Sequence, residues 1–131
     1  MKKIGVLNRD ISEVIASMGH GDMLVVSDAG LAIPSTARRI DVAIKPGLPS
    51  LIETAKVINQ ELKVEQIIVP IMMETACPNI LKELRDLFGD VKLDKLSIEQ
   101  YKQLAWASKA IIRTGECTRY ANVILVSGVI F

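Results

Sequence analysis

His20 is the only histidine of the chain, and it stands between Gly19 and Gly21. Imidazole is the side chain that ordinarily takes and gives a proton near neutral pH, so a lone histidine in a glycine-flanked loop is a candidate acid-base group. Glycines on both sides open backbone conformations closed to other residues and let a ligand come close. The same placement equally suits an ordinary surface histidine, because loops are exposed by default. Asp28, followed by Ala29 and Gly30, puts a carboxylate where an apolar run ends, the region in which open α/β sheets hold ligands. It can accept from sugar hydroxyls, orient an imidazole, or bond its own turn. Tyr120-Ala121-Asn122 combines an aromatic face, a hydroxyl and an amide, a set suited to a polyol, although a tyrosine at a strand start ordinarily packs. Lys102 falls one helical turn after Ile98, beside Tyr101, where an ammonium is ordinarily solvated.

Other chemistries find no support. The 15 acidic residues are scattered, so no carboxylate pair is assigned by spacing. Gly19 and Gly21 lack a third glycine and follow a helical pattern, the wrong context for a nucleotide loop. Cys77 and Cys117 lie far apart in the chain, which fits buried reduced thiols better than a disulfide framework. With one histidine, they make a four-ligand zinc site improbable, and no metal is expected. The 16 basic residues nearly cancel the acids at a net charge of +1, which argues against nucleic acid and anionic lipid as partners. The longest apolar stretch, Ile67 to Met73, contains Pro70 and falls far short of the roughly 20 residues of a membrane helix. Met1-Lys2-Lys3 leads into Ile4 to Leu7 and then Asn8-Arg9-Asp10, too short an apolar run for a signal peptide, so a cytoplasmic protein is expected.

The elements that must position these residues alternate. At 131 residues, half of them hydrophobic, the chain reads as one domain over residues 1–131, its core built from Ile, Val, Leu and Met rather than aromatics. Asp10 and Glu13 have capping-box spacing, and Ile11, Val14, Ile15 and Met18 predict a helix over 10–18 closed by Gly19. Met23 to Ser27 reads as a strand, and Arg39 to Ile44 as another extended segment ending in the turn Lys45 to Pro49. Ser50 opens a helix through about Leu62, Val64 to Ile71 a buried strand, and Pro78 a helix stopped by Gly89. A strand near Val91 to Leu96 and a helix from about Ser97 to Ala107 complete a further alternation. Ala110 to Arg113 and Asn122 to Val126 read as two closing strands around a polar turn at 114–118, open to antiparallel pairing. This pattern predicts an α/β layered fold with a central, mostly parallel β-sheet flanked by helices. The apolar end Gly128-Val129-Ile130-Phe131 docks either on another subunit or on its own core.

Several ordered segments together resemble the D-ribose pyranase family, a branch of the ribose and fucose mutarotases. They are Gly19-His20 with Asp22, Asp28-Ala29-Gly30-Leu31 with Ile33-Pro34, Lys45-Pro46-Gly47-Leu48-Pro49, Ile112-Arg113-Thr114-Gly115-Glu116 and Tyr120-Ala121-Asn122. The likeness runs from Met1 to Phe131. It implies an α/β fold, a ring-like homo-oligomer such as a pentamer or decamer with sites near subunit boundaries, no cofactor, and interconversion of ring forms of a free monosaccharide. Carried over residue by residue, His20 is the acid-base group, while Asp28, Lys102, Tyr120, Ala121 and Asn122 hold the sugar. The chain departs from the ribose branch at three places. Ile98 stands where that branch usually has histidine and the fucose branch arginine, Arg119 where ribose members usually have proline, and Ile71-Met72-Met73 in a segment acidic in many of them. The last two lean toward the fucose side. The expectation is therefore a mutarotase for free D-ribose or a related aldose, with a fucose-type mutarotase or a non-catalytic sugar-binding or regulatory module as alternatives. One imidazole suffices for such chemistry, since ring opening needs only one proton removed and one supplied.

Overall fold

The computed structural model describes every residue from Met1 to Phe131. Six strands form one sheet: β1 (Met23–Ser27), β2 (Arg39–Asp41), β3 (Val64–Pro70), β4 (Lys92–Leu96), β5 (Ala110–Arg113) and β6 (Val123–Ser127), in the order β2-β5-β1-β6-β3-β4. The short outer strands β2 and β4 carry Arg39, Asp41, Lys92 and Lys95, charges that discourage pairing with further chains. The central strands are almost wholly apolar because both faces are covered. Within β1, Leu24 and Val26 face one core cluster and Val25 faces the other.

The larger cluster lies under α1 (Arg9–Ser17), α2 (Leu51–Asn59) and α4 (Pro78–Phe88), through Ile11, Val14, Leu51, Ala55, Ile58 and Leu84. The smaller is covered by α5 (Ile98–Trp106), through Tyr101 and Ala105, together with Leu31, Ile33 and Ala37 of the loop after β1. One face is thus closed by several helices and the other by one helix and a loop.

The predicted layers and mostly parallel sheet are present, with local differences. Asn8 caps α1, its Oδ1 accepting from the Ile11 N–H at 2.9 Å, so the helix starts before Asp10 and the expected Asp10/Glu13 box does not form. Ser50 and Glu53 do form a reciprocal capping box on α2, but that helix ends at Asn59. An additional short helix, α3 (Met73–Ala76), follows β3 because buried Met73 draws the chain into the core straight after Ile71 and Met72. The two closing strands do not pair with each other. Both lie against β1, β5 parallel and β6 antiparallel, and β6 is also antiparallel to β3. The segment 114–122 is consequently a loop arching over the carboxyl end of β1 rather than a hairpin turn.

Candidate active site

Where β1 and β5 run out, the loop after β1, the arch 114–122 and the first turns of α5 surround an open cleft of about 560 Å³. Asp28, Lys102, Tyr120 and Asn122 all line it, as do Ile98 and Arg119. Ligands of open α/β sheets sit at such carboxyl ends, beside the point where strand direction reverses.

The pairing of Val26 with Val123 carries Asn122 to the end of β1, beside Asp28. There the two residues interlock. The Asn122 amide nitrogen donates to Asp28 Oδ2 at 2.9 Å, while the Asp28 backbone N–H donates to Asn122 Oδ1 at 3.0 Å. The Gly30 N–H donates to Asp28 Oδ1 at 2.9 Å. Partial burial pushes the Asp28 carboxyl above the usual aspartate range, and the bonds from Gly30 and Asn122 only partly offset that. The result is a fixed, half-desolvated acceptor at the cleft wall.

Tyr120 reaches the cleft from a left-handed backbone, φ +63°, a conformation that costs a non-glycine residue on the order of 1 kcal/mol or more. The Asn122 N–H closes the bend on the Tyr120 carbonyl at 2.9 Å, and the Arg119 guanidinium lies 5.7 Å from the Tyr120 ring centre. Ala121 is fully buried in the larger core cluster, so its side chain does not line the cleft; it anchors the turn that presents its two neighbours. Ile98 and Lys102 share one face of α5, the fifth helix once α3 is included, and meet the cleft from the opposite side.

Three residues quoted only as part of sequence motifs build the arch. Glu116 accepts from the Leu51 N–H at the start of α2 at 3.2 Å and from the Thr118 hydroxyl at 2.8 Å, and its carbonyl accepts from the Ala29 N–H at 2.7 Å. Gly115 packs so tightly on the turn 45–49 that a Cβ would collide with the Leu48 backbone, and its N–H donates to the Pro49 carbonyl at 2.9 Å. Arg113 ties the arch to the loop after β1, Nε donating to the Ala29 carbonyl at 3.0 Å and Nη1 pairing with Asp41 at 3.1 Å. Their partners are distant in sequence, so only the neighbouring Lys45 to Pro49 and Ile112 to Glu116 motifs hinted at them.

His20 is not in the cleft. Its loop lies at the amino end of β1, where the Gly21 N–H donates to the Ser127 carbonyl at 2.8 Å and Asp22 accepts from the Gly19 N–H at 2.8 Å. That Gly19 bond holds the Asp22 carboxyl below its ordinary pKa. The whole of β1 separates His20 from Asp28, on the order of 15–20 Å at about 3.3 Å per residue. Nε2 of His20 lies 3.0 Å from both carboxylate oxygens of Glu65, so Glu65 orients the imidazole and Asp28 does not. Glu65 is a single acid in β3, and no sequence spacing pointed to it. The thiols also divide: Cys77 is buried, its pKa pushed up by burial and the nearby Glu116 and Asp28, whereas Cys117 is exposed on the cleft rim. No group of three or more His, Cys, Asp or Glu side chains is placed to hold a metal ion, and no helix is long and apolar enough to cross a membrane.

The model of the RbsD / FucU transport protein family matches residues 1–130. The chain belongs to the RbsD / FucU family. A D-ribose pyranase of Chloroflexus aggregans is 47% identical over 131 residues, 100% of each chain. The structure of Bacillus subtilis RbsD complexed with D-ribose superposes with a TM-score of 0.96 at 42% identity, covering 100% of both chains. The fucose mutarotase from Streptococcus pneumoniae, in complex with L-fucose, gives a TM-score of 0.84 at 25% identity, again over 100% of both. The curated relatives carry the enzyme name D-ribose pyranase, an isomerase of sugar ring forms, and the α/β architecture of the RbsD structure is the one found in this chain.

Proposed function

We propose that the protein interconverts the ring forms of free D-ribose or a closely related aldose, pyranose with furanose and one anomer with the other. The sugar sits in the Asp28 cleft of one copy, and His20 of another copy moves the proton. The observation that carries this reading is the convergence of Asp28, Lys102, Tyr120 and Asn122, far apart in the chain, on one cleft. Together they offer a carboxylate, an ammonium, a phenol and an amide, the equipment for gripping several hydroxyls. Asp28 and Asn122 orient hydroxyls, and the Tyr120 ring covers a sugar face.

Ring opening takes the proton from the anomeric hydroxyl and supplies one to the ring oxygen as the bond between that oxygen and the anomeric carbon breaks. The open-chain aldehyde rotates, a hydroxyl of the same chain attacks it, and the proton traffic reverses. A positioned imidazole contributes about 10²- to 10⁴-fold to such a step, and no metal or organic cofactor is required. The exposed His20 ring, at the far end of its own sheet, is suited to serving a neighbour's cleft. Ile4, Ile44, Ile130 and Phe131 are all strongly exposed, which supports a ring-like homo-oligomer such as a pentamer or decamer.

Arg119 on the cleft favours a second reading, a fucose-type mutarotase, because a basic residue at this position is more typical of the fucose branch. A sugar-binding module without catalysis is the third. Saturation-transfer NMR over an aldose panel separates them: catalysed anomeric exchange supports the enzyme and its preferred sugar, and binding without exchange supports the module. His20→Ala and Asp28→Ala proteins should each lose exchange and regain part of it when mixed and reassembled. A His20→Ala protein that keeps most of its exchange rate, or a wild type that stays monomeric by light scattering at micromolar concentration, would sink the shared site.

A further inference from the structure

Glu65 is the extra residue of a β-bulge. Val64 pairs with Ser127 and Gln66 with Val126, so β3 advances two positions where β6 advances one, and Glu65 stands unpaired between them. Bulges re-aim side chains. This one sets the Glu65 carboxylate against His20, with both oxygens 3.0 Å from Nε2. The surroundings fix both partners. The Gly21 N–H on the Ser127 carbonyl ties the histidine loop to the same end of β6, and the next residue, Gly128, donates its N–H to the Lys63 carbonyl at 2.8 Å. Gly128 leaves room for the acid, since a Cβ there would stand 3.0 Å from the Glu65 Cβ and 3.2 Å from Oε2. The contact decides which nitrogen can work. An ionised carboxylate only accepts hydrogen bonds, so Nε2 carries a hydrogen and donates it to Glu65. In the neutral ring Nδ1 then holds the lone pair, and every hydrogen bond that the ring makes within the chain is made by Nε2.

We propose that Glu65 is a positioning residue that makes Nδ1 the atom through which His20 moves both protons of ring opening. This rests on the site shared between copies proposed above, and adds to it the working atom and the group that fixes it. Nδ1 takes the proton of the anomeric hydroxyl, and the imidazolium so formed stays beside the Glu65 carboxylate. The anomeric oxygen closes to a carbonyl as the bond from the anomeric carbon to the ring oxygen breaks. The electron pair of that bond goes to the ring oxygen, which takes the proton from Nδ1 and leaves the imidazole neutral again. Both oxygens are bonded to the same carbon, so one nitrogen reaches each in turn.

Glu65→Ala and Glu65→Gln test it, with anomeric exchange of D-ribose and L-fucose followed by saturation-transfer NMR and assembly by light scattering. Glu65→Ala should lower kcat about ten- to hundredfold, the range seen when the group behind a metal-bound histidine is lost, with KM within about twofold. Glu65→Gln should recover part of that loss, because its amide oxygen still accepts from Nε2–H. In a His20→Ala background Glu65→Ala should cost nothing further, since it acts only through the imidazole. His20 is the only histidine, so 15N NMR of the ring in alkaline solution reads its tautomer directly, with hydrogen expected on Nε2. Hydrogen on Nδ1, an unchanged kcat in Glu65→Ala, or a further loss in the His20→Ala background would each overturn the role. Should Glu65→Ala fail to assemble, the tautomer of the wild type decides. Exchange lost in His20→Ala but kept in Glu65→Ala condemns only the Glu65 role. A His20→Ala protein that keeps its exchange, or a wild type that exchanges neither sugar, condemns the shared site and the Glu65 role with it.

Discussion

Asn122 and Asp28, 94 residues apart, hold each other by two reciprocal hydrogen bonds at 2.9 and 3.0 Å, amide nitrogen to carboxylate and backbone N–H to amide oxygen. Asn122 is buried, so removing its side chain strands the Asp28 N–H and one carboxylate oxygen together. Asn122→Ala should cost about 2 kcal/mol of stability and most of the sugar affinity, read by urea unfolding and sugar titration. Asn122→Asp sets two carboxylates face to face. Each then has a folded pKa above its unfolded one, so the lost stability should return as the pH falls through the carboxylate range. Equal urea midpoints for Asn122→Asp and wild type at neutral pH would show that the pair is not a structural clamp.

Sugar affinity should fail on acidification earlier than an exposed aspartate would allow. Desolvation raises the Asp28 pKa above its ordinary 3.8, so the carboxylate takes up its proton at a higher pH than usual and then accepts fewer hydrogen bonds. The linkage has the opposite sign for the fold. A folded pKa above the unfolded one makes this group favour the native state increasingly as pH drops through the folded value, so its protonation does not destabilise the protein. The expected outcome is binding that weakens on acidification at a pH above that of an exposed aspartate, before the thermal midpoint declines, and a flat profile over that range in Asp28→Asn. Affinity that stays constant until the protein unfolds would remove Asp28 from the sugar contacts.

Tyr120 is held at φ +63°, which glycine adopts without strain. Tyr120→Gly should therefore recover roughly 1 kcal/mol of backbone strain against the packing lost, leaving stability within about 1 kcal/mol of wild type. Sugar affinity should nevertheless fall at least about tenfold, because the ring and hydroxyl on the cleft are gone. Affinity unchanged in a well-folded Tyr120→Gly protein would show that the strained turn serves the chain's path and not the ligand.

Ile98 meets the cleft at the first turn of α5, one turn from Lys102. Ile98→His adds a donor and acceptor on that wall and should raise kcat/KM for ribose relative to fucose by about tenfold, the size of one specificity contact. Competition NMR with both sugars reads the ratio directly. No change in the ratio would mean that the sugar does not touch this wall.

The alternation of apolar strands with amphipathic helices determined the layered α/β fold before any coordinates, because a strand such as Met23 to Ser27 can be apolar throughout only if both faces are covered. The helix starting at Ser50 was legible for the same local reason, its cap and its Glu53 partner lying within one turn. Asp28, Lys102, Tyr120 and Asn122 were legible as residue types, and the cleft that joins them confirms only that they are neighbours. Local pattern could not say that β5 and β6 flank β1 on opposite sides, since strand order depends on contacts between segments far apart in the chain. That order makes the arch 114–122, gives Glu116 and Gly115 their partners, and sets Asn122 against Asp28. It also decides what His20 meets: the strand Met23 to Ser27 already sets His20 and Asp28 at its opposite ends, but only the tertiary structure brings Glu65 of β3 beside the histidine.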